Sequence, residues 1–196
     1  MKTPSRRLLA FAAVLAAALV SALPAAAPSP NLIRNADFSK PLEEGWTTSS
    51  TQAEPEIEIR GGETTTIRVH QFYKGYTSLS QIVPVKDLNL EFSFSGWFAT
   101  NVNKPEFGAL AGIGVAYYSA DTELLGRTLV YRATATEPLK GGDDLHLIRV
   151  KSDSAWGDYA LNLNDEVAQN LKAVEPEKVA LVRISLDADN GQEEGC

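Results

Sequence analysis

Leu90-Glu91-Phe92-Ser93-Phe94-Ser95-Gly96-Trp97-Phe98 is the stretch that decides the fold class. Its even positions Leu90, Phe92, Phe94 and Phe98 are apolar; its odd positions Glu91, Ser93 and Ser95 are polar, until Trp97. Side chains two apart share one face of an extended chain, so this is the period of a half-buried β-strand. Similar runs lie on both sides, at residues 57–60, 64–72, 78–85, 110–119, 124–133, 145–151, 159–163 and 179–186. Turn chemistry separates them: Gly61-Gly62, Lys74-Gly75, Asn103-Lys104-Pro105, Ala120-Asp121 and Gly141-Gly142-Asp143-Asp144. One short helix is expected over 165–173, with Asn164 or Asp165 as its cap. Eight or nine strands with almost no helix predict an all-β, antiparallel two-sheet sandwich.

The chain has 196 residues, with 18 Lys+Arg against 25 Asp+Glu and a formal net charge of −7. That length supports one domain with a real core. An acidic chain with no Lys/Arg cluster is a poor match for a phosphate backbone, which argues against nucleic-acid binding.

The amino terminus carries Lys2, Arg6 and Arg7, then an uncharged stretch from Leu8 to Leu23, then Ala25-Ala26-Ala27 and Pro28-Ser29-Pro30. A basic segment, an apolar one and a small-residue end describe a secretory signal peptide. The apolar part is shorter than the ~20 residues a membrane-spanning helix needs, and Pro24 closes it. The expected organisation is a signal peptide at 1–27 and a single domain at 28–196, secreted, periplasmic or on the cell surface, with no membrane span after cleavage. Val20-Ser21-Ala22 is a competing cleavage site, and Ser5-Arg6-Arg7-Leu8-Leu9 resembles part of a twin-arginine signal. The only cysteine is Cys196, so no intramolecular disulfide forms. That thiol is free, an intermolecular link, or the mark of a chain that stops early.

Asn31-Leu32-Ile33-Arg34-Asn35-Ala36-Asp37-Phe38, followed by Gly45-Trp46, resembles the opening of the galactose-binding-like jelly rolls. These include the cellulase-C-type carbohydrate-binding modules of families 4, 9 and 22. Tyr76-x-x-Leu79-x-Gln81-x-Val83, the strand at 92–98, the hairpin at 114–126 and the run from Trp156 to Leu161 resemble later motifs in the same order. The resemblance covers nearly all of residues 31–196 and implies a jelly-roll sandwich and a glycan ligand. It implies core positions for Trp46 and Trp156, and a cleft-facing amide or a buried one for Gln81. In two places the chain departs from the pattern. Ser39 stands where the family usually has a calcium-binding acid, so no cofactor is expected and a structural calcium is not favoured. Asp189-Asn190-Gly191 and the residues after it look like the loop before a further strand. The run 179–186 would then lie beside an open edge, which predicts pairing with a second copy near Cys196, or a marginally stable monomer.

Enzyme signatures are sparse. His70 and His146 are the only histidines, so a three-histidine zinc site is impossible. No nucleophile elbow occurs, and Gly112-x-Gly114 lies within a strand-like run, where glycines let sheets approach or a strand bend. Acid pairs that could serve a glycosidase are Asp143/Asp144, Asp153/Asp158 and Asp121/Glu123, but acids in such loops are far more often solvated turns. Aromatic residues give the sharper signal, because an indole or phenol ring matches the C–H face of a sugar. Trp97 falls on the polar face of its strand, and Tyr118 faces away from the core if Val115 and Tyr117 face in. The expected ligand-binding set is Trp97, Tyr118, Gln81, Tyr76, Tyr73 and Arg132, and no catalytic or metal-binding residue is expected. The same fold without a sugar site, in a structural or adhesive role, is the alternative; a glycan hydrolase or lyase is the third.

Overall fold

A computed structural model of the chain describes residues 31–62, 64–100, 108–134, 139–150 and 156–191. The signal-peptide reading of residues 1–27, the Asn103-Lys104-Pro105 turn, Asp153, Glu193-Glu194 and Cys196 lie outside them. Among the described residues ten strands and one α-helix form. They are β1 (Thr47–Ser50), β2 (Glu56–Arg60), β3 (Thr66–His70), β4 (Gly75–Pro84), β5 (Glu91–Gly96), β6 (Ala109–Tyr118), β7 (Leu124–Ala133), β8 (Leu145–Arg149), β9 (Gly157–Asn162), α1 (Leu163–Asn170) and β10 (Leu181–Asn190).

The architecture is a jelly-roll β-sandwich. Its larger layer is a six-stranded sheet in the order β1-β4-β10-β6-β7-β8; β5 pairs with β9 in the facing layer, and β2 with β3 in a separate hairpin. Every pair is antiparallel except β7/β8, which is parallel, a departure from the all-antiparallel expectation. β10 is the second departure. It extends to Asn190, past the expected end, and pairs with β4 on one side and β6 on the other along its whole length. Asp189 and Asn190 are therefore strand rather than loop. The edge expected to be open is closed by residues already present, so the reason for a borrowed strand is gone. Sheet edges fall instead at β1 and β8.

The alternation that announces β5 operates here as physics. Phe92 and Phe94 turn inward, and Val115, Tyr117, Val182 and Ile184 meet them from the large sheet. Helix α1 adds Leu163 and Val167, with Leu171 one turn beyond at its cap, all spaced four apart on one buried face. Each such side chain removed from water stabilises the fold by about 1.5–3 kcal/mol. The helix starts two residues before the expected position, because Asn162 caps it: its side chain accepts from the Asp165 backbone N–H at 3.0 Å. Asp165 and Glu166 then occupy the first turn, where the helix dipole favours negative charge.

Two glycines of β6 work differently from the sequence expectation. A Cβ on Gly114 would lie 2.7 Å from the Ser185 hydroxyl, and one on Gly112 would lie 3.0 Å from the Leu129 side chain. They let side chains of β10 and β7 lean across β6 on the face turned away from the core. At the end of this strand the register shifts between Tyr117 and Tyr118, a bulge that re-aims the last side chain.

Candidate functional site

Two faces are turned away from the core, one on each layer. The face of the small layer carries Glu91, Ser93 and Ser95 on β5, and Asp158, Ala160 and Asn162 on β9; exposure alternates along both strands. Continued one step past the last paired residues, that alternation adds Trp97 and Trp156, which are 54% and 59% exposed. Since Gly96 is opposite Gly157, each tryptophan stands one residue beyond the same end of the β5/β9 pair. Between them and the helix runs a shallow groove of about 420 Å³, lined by Ser93, Phe94, Ser95, Asp158, Tyr159 and Ala160. The Ser95 hydroxyl donates to the Asp158 carboxylate at 2.5 Å, which fixes both groups on this face. Beneath the groove Phe94 stacks on Tyr159 with ring centroids 4.8 Å apart, so the surface rests on a rigid aromatic layer.

Trp156 is a correction. It was assigned to the core, as Trp46 was. Trp46 does sit there: it is buried, its ring is 5.4 Å from Phe38, and its indole N–H donates to the Asn35 carbonyl at 3.1 Å. Trp156 instead lies among the most exposed large hydrophobics of the described residues. The signal was available, since Trp156, Asp158, Ala160 and Asn162 are the polar-face positions of their strand and Tyr159 and Leu161 the apolar ones.

The outward face of the six-stranded sheet holds two of the other expected residues at opposite ends. Tyr76 is opposite Asp189, and Tyr118 opposite Leu181. Eight residues of β10 separate these rows, roughly 26 Å. Tyr118 and Trp97 thus lie on different layers with the core between them. Tyr73 is exposed in the β3–β4 loop, its ring edge-on to Phe72 at 5.0 Å. Buried Gln71 tethers that loop by donating to the Tyr73 carbonyl and accepting from Thr77, and Asn190 donates to the Phe72 carbonyl. Tyr73 and Tyr76 are therefore neighbours at one end of the large sheet.

Gln81 and Arg132 face elsewhere. Gln81 is buried on the core side, where its amide clasps Arg34: the Arg34 N–H donates to its Oε1 at 2.8 Å, and its Nε2 donates to the Arg34 carbonyl at 2.9 Å. With both ends used on backbone, it has nothing to offer a cleft. Arg132 lies in register with Ala111 on the inward side of β7, and its Nε donates to Thr100 at 3.0 Å.

Two polar constellations had no counterpart in the sequence reading. Asp187, on the outward face, accepts from Ser78 at 2.6 Å and Ser185 at 2.7 Å. Asp189 is on the same face two residues along, and burial raises its carboxyl above the usual carboxylate range. The second constellation is inside. Glu166 of α1 is buried and accepts from Thr128 at 2.6 Å, from Asn170 at 2.9 Å and from His146 Nδ1 at 2.5 Å. An ionised carboxylate only accepts, so His146 donates from Nδ1. The buried Tyr117 phenol lies close by, and burial together with the Glu166 charge pushes it far up. No nucleophilic side chain is bonded to His146 among the described residues, so the network pins α1 to β7 and β8.

At the amino-terminal motif, Ser39 donates from its backbone N–H and its hydroxyl to Asp37 Oδ1. These bonds hold the Asp37 carboxyl below its ordinary range. Among the described residues, no group of three or more His, Cys, Asp or Glu is arranged to hold a metal ion, and no helix is long and apolar enough to cross a membrane.

No family model matches the chain, and no curated protein matches it. Among solved structures it is similar to a family 11 carbohydrate-binding module from Clostridium thermocellum, in complex with a β-1,3-1,4-mixed-linked tetrasaccharide. The identity is 14%, the match covers 81% of this chain and 94% of that one, and the TM-score is 0.39. It is also similar to a thermostable cellulase derived from an enzyme of Rhodothermus marinus, at 13% identity, 76% and 85% coverage and a TM-score of 0.39.

Proposed function

We propose that the chain is an exported, non-catalytic glycan-binding β-sandwich that holds a sugar chain against the β5/β9 face. In this reading residues 1–27 direct export and 28–196 form the binding domain. One observation carries it: Trp97 and Trp156 stand exposed just past the same end of β5 and β9, whose outward face otherwise presents small and polar side chains. Exposed aromatic rings on an otherwise polar face form the kind of apolar surface a ligand can cover. The C–H faces of pyranose rings suit them, with Ser95 and Asp158 about 7 Å further along to take hydroxyl groups.

The test is affinity electrophoresis of the full chain through gels containing neutral polysaccharides, chosen from a glycan-array screen, compared with Trp97→Ala and Trp156→Ala. Each variant is expected to migrate as if its affinity had fallen about tenfold or more, as for loss of a hot-spot aromatic. Neither is expected to approach the ~3–5 kcal/mol stability loss of a core Trp→Ala change. Retained binding in both variants, or no glycan bound by the wild type, would sink the reading.

A second reading rests on Asp187 and Asp189. Two carboxylates on one face, one hydrogen-bonded to two serines and the other raised by burial, resemble the pair a glycoside hydrolase uses as base and acid. Release of reducing ends from a bound polysaccharide, abolished by Asp189→Asn, would favour it over a purely binding role.

A further inference from the structure

A row of the large sheet's outward face carries two arginines that form no ion pair among the described residues. Arg183 of β10 is opposite Ile82 on one side and Ala116 on the other, and Ala116 is in turn opposite Arg127 of β7. The guanidinium groups thus flank a methyl group, on backbones two strand spacings, or roughly 10 Å, apart. Arg127 is exposed, whereas Arg183 is half-buried with its Nε shielded from solvent and without a hydrogen-bond partner. Neither side chain makes an ion pair with a described residue. Asp187, the nearest acid of β10 on this face, is four residues along, about 13 Å away, and its oxygens are taken by Ser78 and Ser185. A shielded unpaired donor beside a like charge costs stability, in a chain with acids to spare. Tyr118 lies in the next row on the same face, and Ile82 stands 53% exposed on the other flank of Arg183.

We propose that this row is an oxyanion-binding site for the carboxylate of a uronate-bearing glycan. The carboxylate lies on the solvent side of Arg183 and Arg127, in the row of Ala116, which is itself buried. Two guanidinium forks present paired N–H donors to its two oxygens. The attached sugar ring rests on Tyr118 or Ile82. The inference takes the glycan class from the preceding proposal but uses a separate face and no residue of the tryptophan pair.

Arginine side-chain N–H resonances of the full-length, nitrogen-15-labelled chain report on the site directly. They are followed during titration with trigalacturonate, with neutral galactotriose and with sodium sulfate. Trigalacturonate is expected to shift the Nε–H signals of Arg183 and Arg127 saturably and to leave other arginines in place. Galactotriose should not move them, and sulfate should move them only at far higher concentration. Arg127→Gln and Arg183→Gln should each weaken trigalacturonate about tenfold or more, the loss typical of a charge-assisted bond, while Trp97→Ala and Trp156→Ala change nothing. Arg183→Met should raise the melting temperature, because a shielded charge without a partner is replaced by a fitting apolar chain; a structural arginine would lower it. Signals unmoved by trigalacturonate, or moved equally by sulfate, overturn the proposal. If neutral glycans then still bind through the tryptophans, only this inference falls. If the arginines respond while no glycan depends on Trp97 or Trp156, this inference stands and the tryptophan face loses its role.

Discussion

Replacing Glu166 by alanine removes the acceptor from three donors at once, and their surroundings set the cost. Thr128 is wholly buried, so its hydroxyl has no water to turn to; an orphaned buried donor costs about 1–3 kcal/mol. Asn170 and His146 are half-buried and recover water, losing about 0.5–1 kcal/mol each. Deleted methylene contacts add roughly 1 kcal/mol, and relief of the buried charge gives part of it back. The expected net loss is about 3 kcal/mol, equivalent to roughly 6–12 °C in melting temperature for a domain of this size. Urea unfolding followed by tryptophan fluorescence measures it. Thr128→Val alone should cost about 1 kcal/mol, since Glu166 keeps two donors. In the Glu166→Ala/Thr128→Val double variant the orphan is gone, so the total should fall at least ~1 kcal/mol short of the sum. A loss under ~1 kcal/mol for Glu166→Ala, or strict additivity, would refute the view that this carboxylate pins the helix.

Two further tests address single side chains. Gln81→Ala should cost about 2–3 kcal/mol, because both backbone groups of Arg34 lose their partner in a part-buried site; a change under ~0.5 kcal/mol in urea unfolding would show that water replaces the amide. Asp189→Asn should be more stable than the wild type at pH 7. A carboxyl raised in the folded state above its usual 3.8 means the folded protein holds more protons through that window, so wild-type stability falls as pH rises through it. The gain should vanish below about pH 3.8, and a gain independent of pH would point to another cause.

Where packing dictates sequence, the sequence was readable. Residues 90–98 alternate because one face meets Val115, Tyr117 and Ile184, and that forces period 2. The expected limits of β7 coincide with the observed strand, since its neighbours on both sides are strands. Strand β1 was missed because Thr47-Thr48-Ser49-Ser50 contains no apolar residue. It exists through its pairing with β4 and through side-chain bonds of Ser49 and Ser50 to Tyr76 and Thr77. The candidate site divided along the same line. The exposure of Trp97 was legible because it interrupts a polar face. The exposure of Trp156 follows the alternation of its own strand and not the core position that the family resemblance implies. Gln81 could not be placed, since an amide clasping a backbone 47 residues away leaves no local trace. Asp187, Glu166 and the arginine row are equally non-local, each assembled by strands or a helix far apart in the chain.

The insertion of β10 between β4 and β6 also sets an order of events in time. Neither of those strands touches the other, so the middle of the large sheet stays open until residues 181–190 have left the ribosome. The Ser78–Asp187 hydrogen bond joins residues 109 apart, a closure that brings slow folding, in the range of milliseconds to seconds. During that wait β4 and β6 both present unpaired N–H and C=O groups to any other chain. Of the strands described in this sheet β10 comes last in the chain, so the sheet's two halves, β1-β4 and β6-β7-β8, are joined only when it pairs with both.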